Sequence, residues 1–294
     1  MHLWIRSEVR NFEKRVGITP NAVLELISKG FEVTVEESNS RALPIKEYRN
    51  AGANIVPSNS WPSAPDHAII FGLKELPENI ETLKHRHIMF GHAYKGQSGA
   101  SALLKRFKNG GGALYDLEYL LKKNGSRIAA FGYWAGFAGA AVSLKVWLHQ
   151  QNNKSPGPEN INIYAGRDEL IQDLVNEFDD KNINNLNKPN IIVIGGLGRV
   201  GKGAIELAKS LNIDVTVWDV DETRNGGPFP EILNHYIFIN CILARPGVPI
   251  FVPHSALNSQ RSLSVVSDVS CDPDSPYNPI PIYDAATSFS KPVV

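Results

Sequence analysis

The stretch Ile191-Ile192-Val193-Ile194-Gly195-Gly196-Leu197-Gly198-Arg199-Val200-Gly201 decides how the chain is read. A run of β-branched residues with no polar alternation predicts a strand buried on both faces, as in a parallel sheet. Gly196, Gly198 and Gly201 follow in G-x-G-x-x-G spacing and open a helical pattern over Lys202 to Leu211. In that order the glycines serve a tight turn, room for a pyrophosphate at the backbone, and close helix–strand packing. The helix adds free N–H groups and partial positive charge for phosphates. The spacing alone is a weak signal. A second strand, Val215-Thr216-Val217-Trp218, ends in Asp219, where a carboxylate grips the adenine ribose and repels a 2′-phosphate, so NAD is expected over NADP. The competing reading is a glycine-rich turn beside a surface aspartate, and four features in register count against it.

Working outward, short apolar strands alternate with helical patterns almost throughout. Toward the amino end, strands are expected at Leu3–Ser7, Phe31–Val35, Asn54–Val56, Ala68–Gly72, Ile88–Phe90 and Ala113–Leu117. Thr19-Pro20 reads as cap and first turn of a helix closed by Gly30. Further helices are expected at Pro44–Ala51 and Ala102–Phe107. Polar connections rich in Asn, Lys and Pro fall at 150–158 and 179–189. The fold class is therefore α/β: two Rossmann-like domains with mostly parallel sheets and an interdomain cleft, residues 1–135 holding substrate and residues 136–294 holding NAD.

Lys+Arg and Asp+Glu are both 30 in 294 residues, a balance that gives neither nucleic acid nor an anionic membrane a reason to bind. The amino terminus lacks the apolar run of a signal peptide. Ile128 to Leu144 carries no charge, yet its many Gly and Ala predict a closely packed helix between domains, and the chain is read as cytoplasmic. Cys241 and Cys271 exclude a disulfide framework; Cys241, in an apolar run, reads as a buried thiol.

Two strands of the first half lead into titratable residues, Lys74 and His92. If those strands are parallel, both residues reach the carboxyl edge of one sheet, where ligands gather, and the pair suits acid–base chemistry. Residue type alone leaves solvated and structural roles open. Arg15 and Arg127 are candidate forks for substrate carboxylates. His2, His67, His85, His87, His149, His235 and His254 show no metal-ligand spacing, so no metal is expected.

Several strings carry a family resemblance: Glu13-Lys14-Arg15-Val16-Gly17-Ile18-Thr19-Pro20, Gly72-Leu73-Lys74-Glu75-Leu76-Pro77, Leu114-Tyr115-Asp116-Leu117-Glu118, Ala129-Ala130-Phe131-Gly132, Trp134-Ala135-Gly136-Phe137-Ala138-Gly139-Ala140-Ala141, Arg224-Asn225-Gly226-Gly227-Pro228-Phe229 and Asn278-Pro279-Ile280-Pro281-Ile282-Tyr283. Together they resemble NAD-dependent, lysine-forming saccharopine dehydrogenase, with alanine dehydrogenase and transhydrogenase as more distant kin. The resemblance implies a monomer that oxidises saccharopine with NAD and water to lysine and 2-oxoglutarate, reversibly. It makes Lys74 the general base and His92 the general acid. It assigns substrate to Arg15, Gln97, Arg127, Phe131, Asp268, Val269 and Ser270, and cofactor to Gly198, Arg199, Asp219 and Thr223 beside Gly196 and Gly201.

The chain departs from the family at four places. Ser126-Arg127 stands for two adjacent arginines, Val200 for a cysteine in the glycine loop, and Leu243 for an aromatic residue over the nucleotide. The family also continues past Val294 with another nucleotide-domain strand and an Asp-His-Leu-Pro motif. A fragment or a shortened relative is expected, with an unpaired strand edge that invites association. Two alternatives stay open: a related dehydrogenase acting on another amino-acid-derived imine or oxo acid, and a non-catalytic nucleotide-binding relative.

Overall fold

β-branched and aromatic runs become strands, and capped amphipathic runs become the helices that cover them. A computed structural model describes residues 1–11, 13–94, 99–152, 157–179, 188–270 and 273–293. The chain divides into two units, Met1–Ala130 and Phe131–Val294.

In the first unit the elements run β1 (His2–Ile5), α1 (Pro20–Ser28), β2 (Glu32–Glu36), α2 (Ile45–Asn50), β3 (Asn54–Val56), β4 (Ile69–Phe71), β5 (Arg86–Met89), α3 (Ala100–Gly110) and β6 (Ala113–Asp116). Thr19 caps α1 by accepting from the Ala22 N–H at 3.3 Å, and the chain leaves through Gly30 at φ +84°, a conformation that costs glycine nothing. The strands form one parallel sheet in the order β3-β2-β1-β4-β5-β6. That is the doubly wound Rossmann order, and its direction reverses between β1 and β4, where ligands are expected outside the carboxyl ends. Trp4, Trp61, Ile70, Leu83, Met89 and Phe107 anchor a core of this unit.

The second unit contains α4 (Gly132–Gln151), α5 (Arg167–Phe178), β7 (Ile191–Ile194), α6 (Arg199–Ser210), β8 (Val215–Trp218), the short α7 (Val220–Thr223) and α8 (Pro230–Leu233), β9 (Ile237–Asn240) and β10 (Val265–Asp268). Its sheet is parallel too, in the order β10-β9-β7-β8, with the reversal between β7 and β9. All four residues of β7 are buried, as the unbroken apolar run requires. The helix α6 begins at Arg199, three residues before the helical pattern read from sequence, because Gly198 caps it.

The uncharged, Gly- and Ala-rich run lies on α4, whose close partner is α6 of the same unit. A methyl group at Gly136 would overlap the Val200 carbonyl, and one at Gly203 would overlap the Tyr133 carbonyl. Two glycines, one on each helix, thus let the backbones touch. Farther along, Lys145 pairs with Asp173 at 2.7 Å and with Glu177. No helix among the described residues is long and apolar enough to cross a membrane. Of the connections expected at 150–158 and 179–189, Gln150 and Gln151 still belong to α4, and residues 153–156 and 180–187 lie outside the described residues.

Candidate active site

In the first unit, charge gathers at the carboxyl ends of β1 and β4, on the reversal. β1 runs out into Arg6, Ser7 and Glu8, and β4 into Gly72, Leu73 and Lys74. The Glu8 carboxylate accepts from the Leu73 N–H at 2.7 Å and the Lys74 N–H at 3.0 Å, while buried Arg6 donates to Glu8 at 3.3 Å and to the Lys74 carbonyl. The backbone carrying Lys74 is therefore fixed at both polar atoms. Gly72 leaves space for the Arg6 guanidinium, which a Cβ would overlap. Glu13, buried beneath Arg15, accepts from Arg15 Nε at 2.8 Å and Nη2 at 2.6 Å. That bond, with backbone and charge contributions from Arg15 and the charge of Lys74, holds the Glu13 carboxyl below its usual range against the opposing effect of burial. Arg6, Glu8, Glu13, Arg15 and Arg41 line one small cavity of about 20 Å³.

His92 lies at the end of β5, which pairs parallel with β4. The Phe90 N–H donates to the Leu73 carbonyl at 3.2 Å, so the segments carrying Lys74 and His92 leave the sheet side by side. His92 has φ +49°, a left-handed conformation that costs a non-glycine residue about 1–3 kcal/mol and clusters at functional sites. Its Nδ1 is 3.3 Å from Glu118, and its ring stacks on Phe90 at 6.5 Å between centroids. Glu118 follows β6 in a short 3-10 turn, and a hairpin through Leu121 and Arg127 folds the chain back. Arg127 Nη1 then lies 3.6 Å from Glu118, with its guanidinium over the Phe90 ring. His92 and Arg127 thus share one carboxylate and one ring. Ser126 closes the hairpin turn on Asn124 Oδ1, by its hydroxyl at 2.7 Å and its N–H at 3.1 Å. Gln97 lies outside the described residues, and Phe131 caps α4 in the second unit.

The second unit builds its site from backbone. The left-handed turn falls on Gly195, at φ +86°, one residue before the motif glycine to which the sequence assigns it. A Cβ at Gly196 would strike Val217, and one at Gly201 would strike the Gly195 carbonyl and the Gly196 Cα. Only glycine lets α6 start this close to β7, with the N–H groups of its first turn aimed outward. The Asp219 carboxylate accepts from the Leu197 N–H at 2.9 Å and the Val220 N–H at 3.0 Å, pinning the loop to the end of β8. Glu222 answers the Asp219 N–H at 2.7 Å, and the Thr223 hydroxyl donates to the Asp219 carbonyl at 2.9 Å. Glycine cradle, helix terminus and strand-end carboxylate all fit a dinucleotide.

Beside that loop, buried Asn240 ends β9 and donates to Asp268 Oδ1 at 3.0 Å, and the Tyr283 hydroxyl donates to Asp268 Oδ2 at 2.6 Å. The Val269 N–H returns to the Asn240 carbonyl at 3.1 Å, and Ser270 follows in a bend. Cys241, next in line, is buried, and burial with the nearby Asp268 raises its thiol to about 12, so it stays protonated.

Sequence reading missed Gly195, Glu8, Glu13, Glu118, Asn240 and Tyr283. Glu13 had a local signal, a carboxylate two positions from an arginine. Glu8 had the same signal in Arg6, but its bonds to the Leu73 and Lys74 N–H groups, like the partners of Glu118, Asn240 and Tyr283, are brought near only by the tertiary fold.

Residues 4–138 match the alanine dehydrogenase/PNT N-terminal domain family. The chain is 47% identical to saccharopine dehydrogenase [NAD(+), L-lysine-forming] of Candida glabrata, over 99% of this chain and 80% of that protein. The protein of the same name from Schizosaccharomyces pombe is 45% identical, over 100% of this chain and 81% of its own length. Among solved structures, transhydrogenase from Sinorhizobium meliloti superposes with a TM-score of 0.59 at 19% identity, over 90% of this chain and 77% of that one.

Proposed function

The chain belongs to the NAD-dependent, lysine-forming saccharopine dehydrogenase family, and on that premise we propose that it oxidises saccharopine with NAD and water to lysine and 2-oxoglutarate. One observation supports the reading above others: Lys74 and His92 leave neighbouring parallel strands side by side, each on a segment held in place by a carboxylate, Glu8 on the Lys74 N–H and Asp116 on the Gly91 N–H. NAD, when bound, supplies the hydride acceptor for the α-carbon on the glutamate side of the substrate. Gly196, Gly198, Arg199 and Gly201 take its pyrophosphate at the start of α6, and Asp219 with Thr223 takes the adenine ribose.

Lys74 removes the proton from the secondary-amine nitrogen, so that the electron pair can form the imine as hydride departs. It passes that proton to solvent and, neutral again, accepts a proton from the water that adds to the imine carbon. His92 delivers a proton to nitrogen as the carbinolamine C–N bond breaks; the hydroxyl gives up its proton to solvent, its oxygen becomes the keto oxygen of 2-oxoglutarate, and the lysine amine leaves. Positioned acid–base groups of this kind contribute about 10²–10⁴-fold to rate. Glu118 orients the His92 ring. Arg15 and Arg127 each offer a five-donor fork, more than one carboxylate uses, to the substrate carboxylates, with Gln97, Phe131 and Asp268-Val269-Ser270 completing the substrate contacts.

Mixing the protein with saccharopine and NAD tests this directly. NADH and lysine are expected in equal amounts, and lysine, 2-oxoglutarate and NADH should run the reaction backward. Absence of turnover in both directions overturns the proposal. Ser126, bonded to Asn124 where the family has a second arginine, favours a second reading, a related dehydrogenase of the same architecture with another substrate. A higher kcat/KM for another amino-acid-derived imine or oxo acid would select that reading.

A further inference from the structure

We propose that the first unit holds a divalent metal ion of the zinc type at the opposite edge of its sheet, ligated by His2 Nδ1, His67 and Glu32. The donor atoms of these three residues lie within 4.8 Å of one another, and they form the one such group among the described residues. No spacing along the chain reveals them, because the parallel ladder assembles the trio. His2 sits directly opposite Glu32 in the β1–β2 register, and the Glu32 N–H donates to the Met1 carbonyl at 3.0 Å. Leu3 is opposite Ile69 in the β1–β4 register, which brings His67, two residues earlier, to the same edge. Lys74 and its neighbours lie at the far ends of these strands, roughly 10 Å or more away at 3.3 Å per residue.

His2 carries the independent sign. Its side chain is 4% exposed, and its Nε2 bonds Thr34 Oγ1 at 2.9 Å. Its Nδ1 is buried without a hydrogen-bond partner, 3.8 Å from a Glu32 carboxylate oxygen. A buried imidazole nitrogen left unbonded is costly. With Nε2–H donated to Thr34, Nδ1 has the lone pair that a metal takes, and this is how outer partners fix the tautomer of ligating histidines. The His67 ring lies 5.8 Å from that of His2.

Tetrahedral zinc with bonds near 2.1 Å sets its ligands about 3.4 Å apart, so donor atoms lying within 4.8 Å of one another must close in by at most about 1.4 Å. Glu32 and His67 are both exposed, and their side chains can rotate inward onto the fixed His2 ring. Two imidazoles and a carboxylate are the donor set that suits zinc, with water as the fourth ligand. The ion would tie together the starts of β1, β2 and β4.

The test uses tag-free full-length protein stripped with a chelator, then titrated with Zn²⁺ by calorimetry and with Co²⁺ by visible spectroscopy. One equivalent of Zn²⁺ should bind at micromolar concentration or below and raise Tm, and Co²⁺ should develop the d–d bands of a four-coordinate site. His67→Ala and Glu32→Gln change exposed side chains; each should abolish that equivalent, the bands and the Tm rise. Thr34→Val, which keeps the shape and the ligands but frees the His2 ring, should weaken binding about tenfold. No stoichiometric uptake by the parent protein overturns the proposal. So does unchanged uptake, with an unchanged Co²⁺ spectrum, in His67→Ala. Saccharopine turnover is read alongside, and because the trio lies away from Lys74 and His92, the outcome does not depend on the proposed activity.

Discussion

The carboxyl edges of the two sheets have the same architecture and opposite chemistry. Both are parallel and both have a strand-order reversal. At the first edge the chain presents side chains: Arg6, Glu8, Glu13, Arg15, Lys74, His92, Glu118 and Arg127, with buried Glu36 accepting from the Ser7, Asn59 and Trp61 N–H groups at 2.8, 2.9 and 2.6 Å. At the second edge it presents backbone: Gly195, Gly196, Gly198 and Gly201, with Asp219 and Asp268 at the margins. The burial pattern follows suit. The first unit buries His2, Arg6, Glu13, Glu36, His85 and His87, whereas Lys145 is the one buried Lys, Arg, Asp, Glu or His among the described residues of the second. A site of side chains is specified by charge and is broken by changing charge. A site of backbone is specified by absent atoms and is broken by adding one.

The largest expected break is Lys74→Met together with His92→Gln. Turnover should fall by about 10²–10⁴-fold while NAD affinity, measured by fluorescence titration, holds nearly constant. Equal losses of rate and affinity would erase the division of labour between the two edges. Gly203→Ala should come next. It places a methyl group on the Tyr133 carbonyl and should cost about 3 kcal/mol in urea unfolding, although it changes no charge. A stability equal to the parent's would mean that α4 and α6 separate freely. Asp219→Asn keeps an acceptor for the Leu197 N–H and removes the charge. NAD should bind about tenfold more weakly and NADP comparatively better, and an unchanged preference would take Asp219 out of ribose recognition.

The smallest effect at neutral pH sharpens the comparison in acid. His87, edge-on to Trp61 at 5.0 Å and Phe107 at 5.4 Å, is pushed down to about 3 from its ordinary 6.5 by burial, with Arg6 and other cations adding to it. Between those values the unfolded chain binds the extra proton, so the His87 contribution is intact above pH 6.5 and drains away as pH falls toward 3. Urea midpoints measured across this window should decline for the parent and decline less for His87→Leu. Parallel declines would place the acid lability elsewhere.

How much of this was legible in the sequence differs by edge. Glycine spacing, the buried β7 run, the strand-end Asp219 and the Thr19 cap are local, and local sterics fix them wherever the segment finally lies. Gly195 escaped notice because the motif is recognised by spacing, whereas the turn is set one residue earlier by crowding at Cys241. Lys74 and His92 were visible as strand-end residues, and their adjacency was conditional on parallel pairing. Glu118 was not visible as the partner of Arg127 and His92, because a hairpin brings it the first and the β5–β6 pairing the second. The same holds for Asn240, Asp268 and Tyr283.

Composition, periodicity and glycine spacing by themselves determined an α/β chain with a dinucleotide loop, since backbone conformation and burial depend on a few neighbouring residues. Tertiary structure alone decided which carboxylate orients which base, and which histidines meet Glu32 at the far edge. Those pairings are set by strand order and register, and order and register minimise the energy of the whole sheet, a quantity that no single segment encodes.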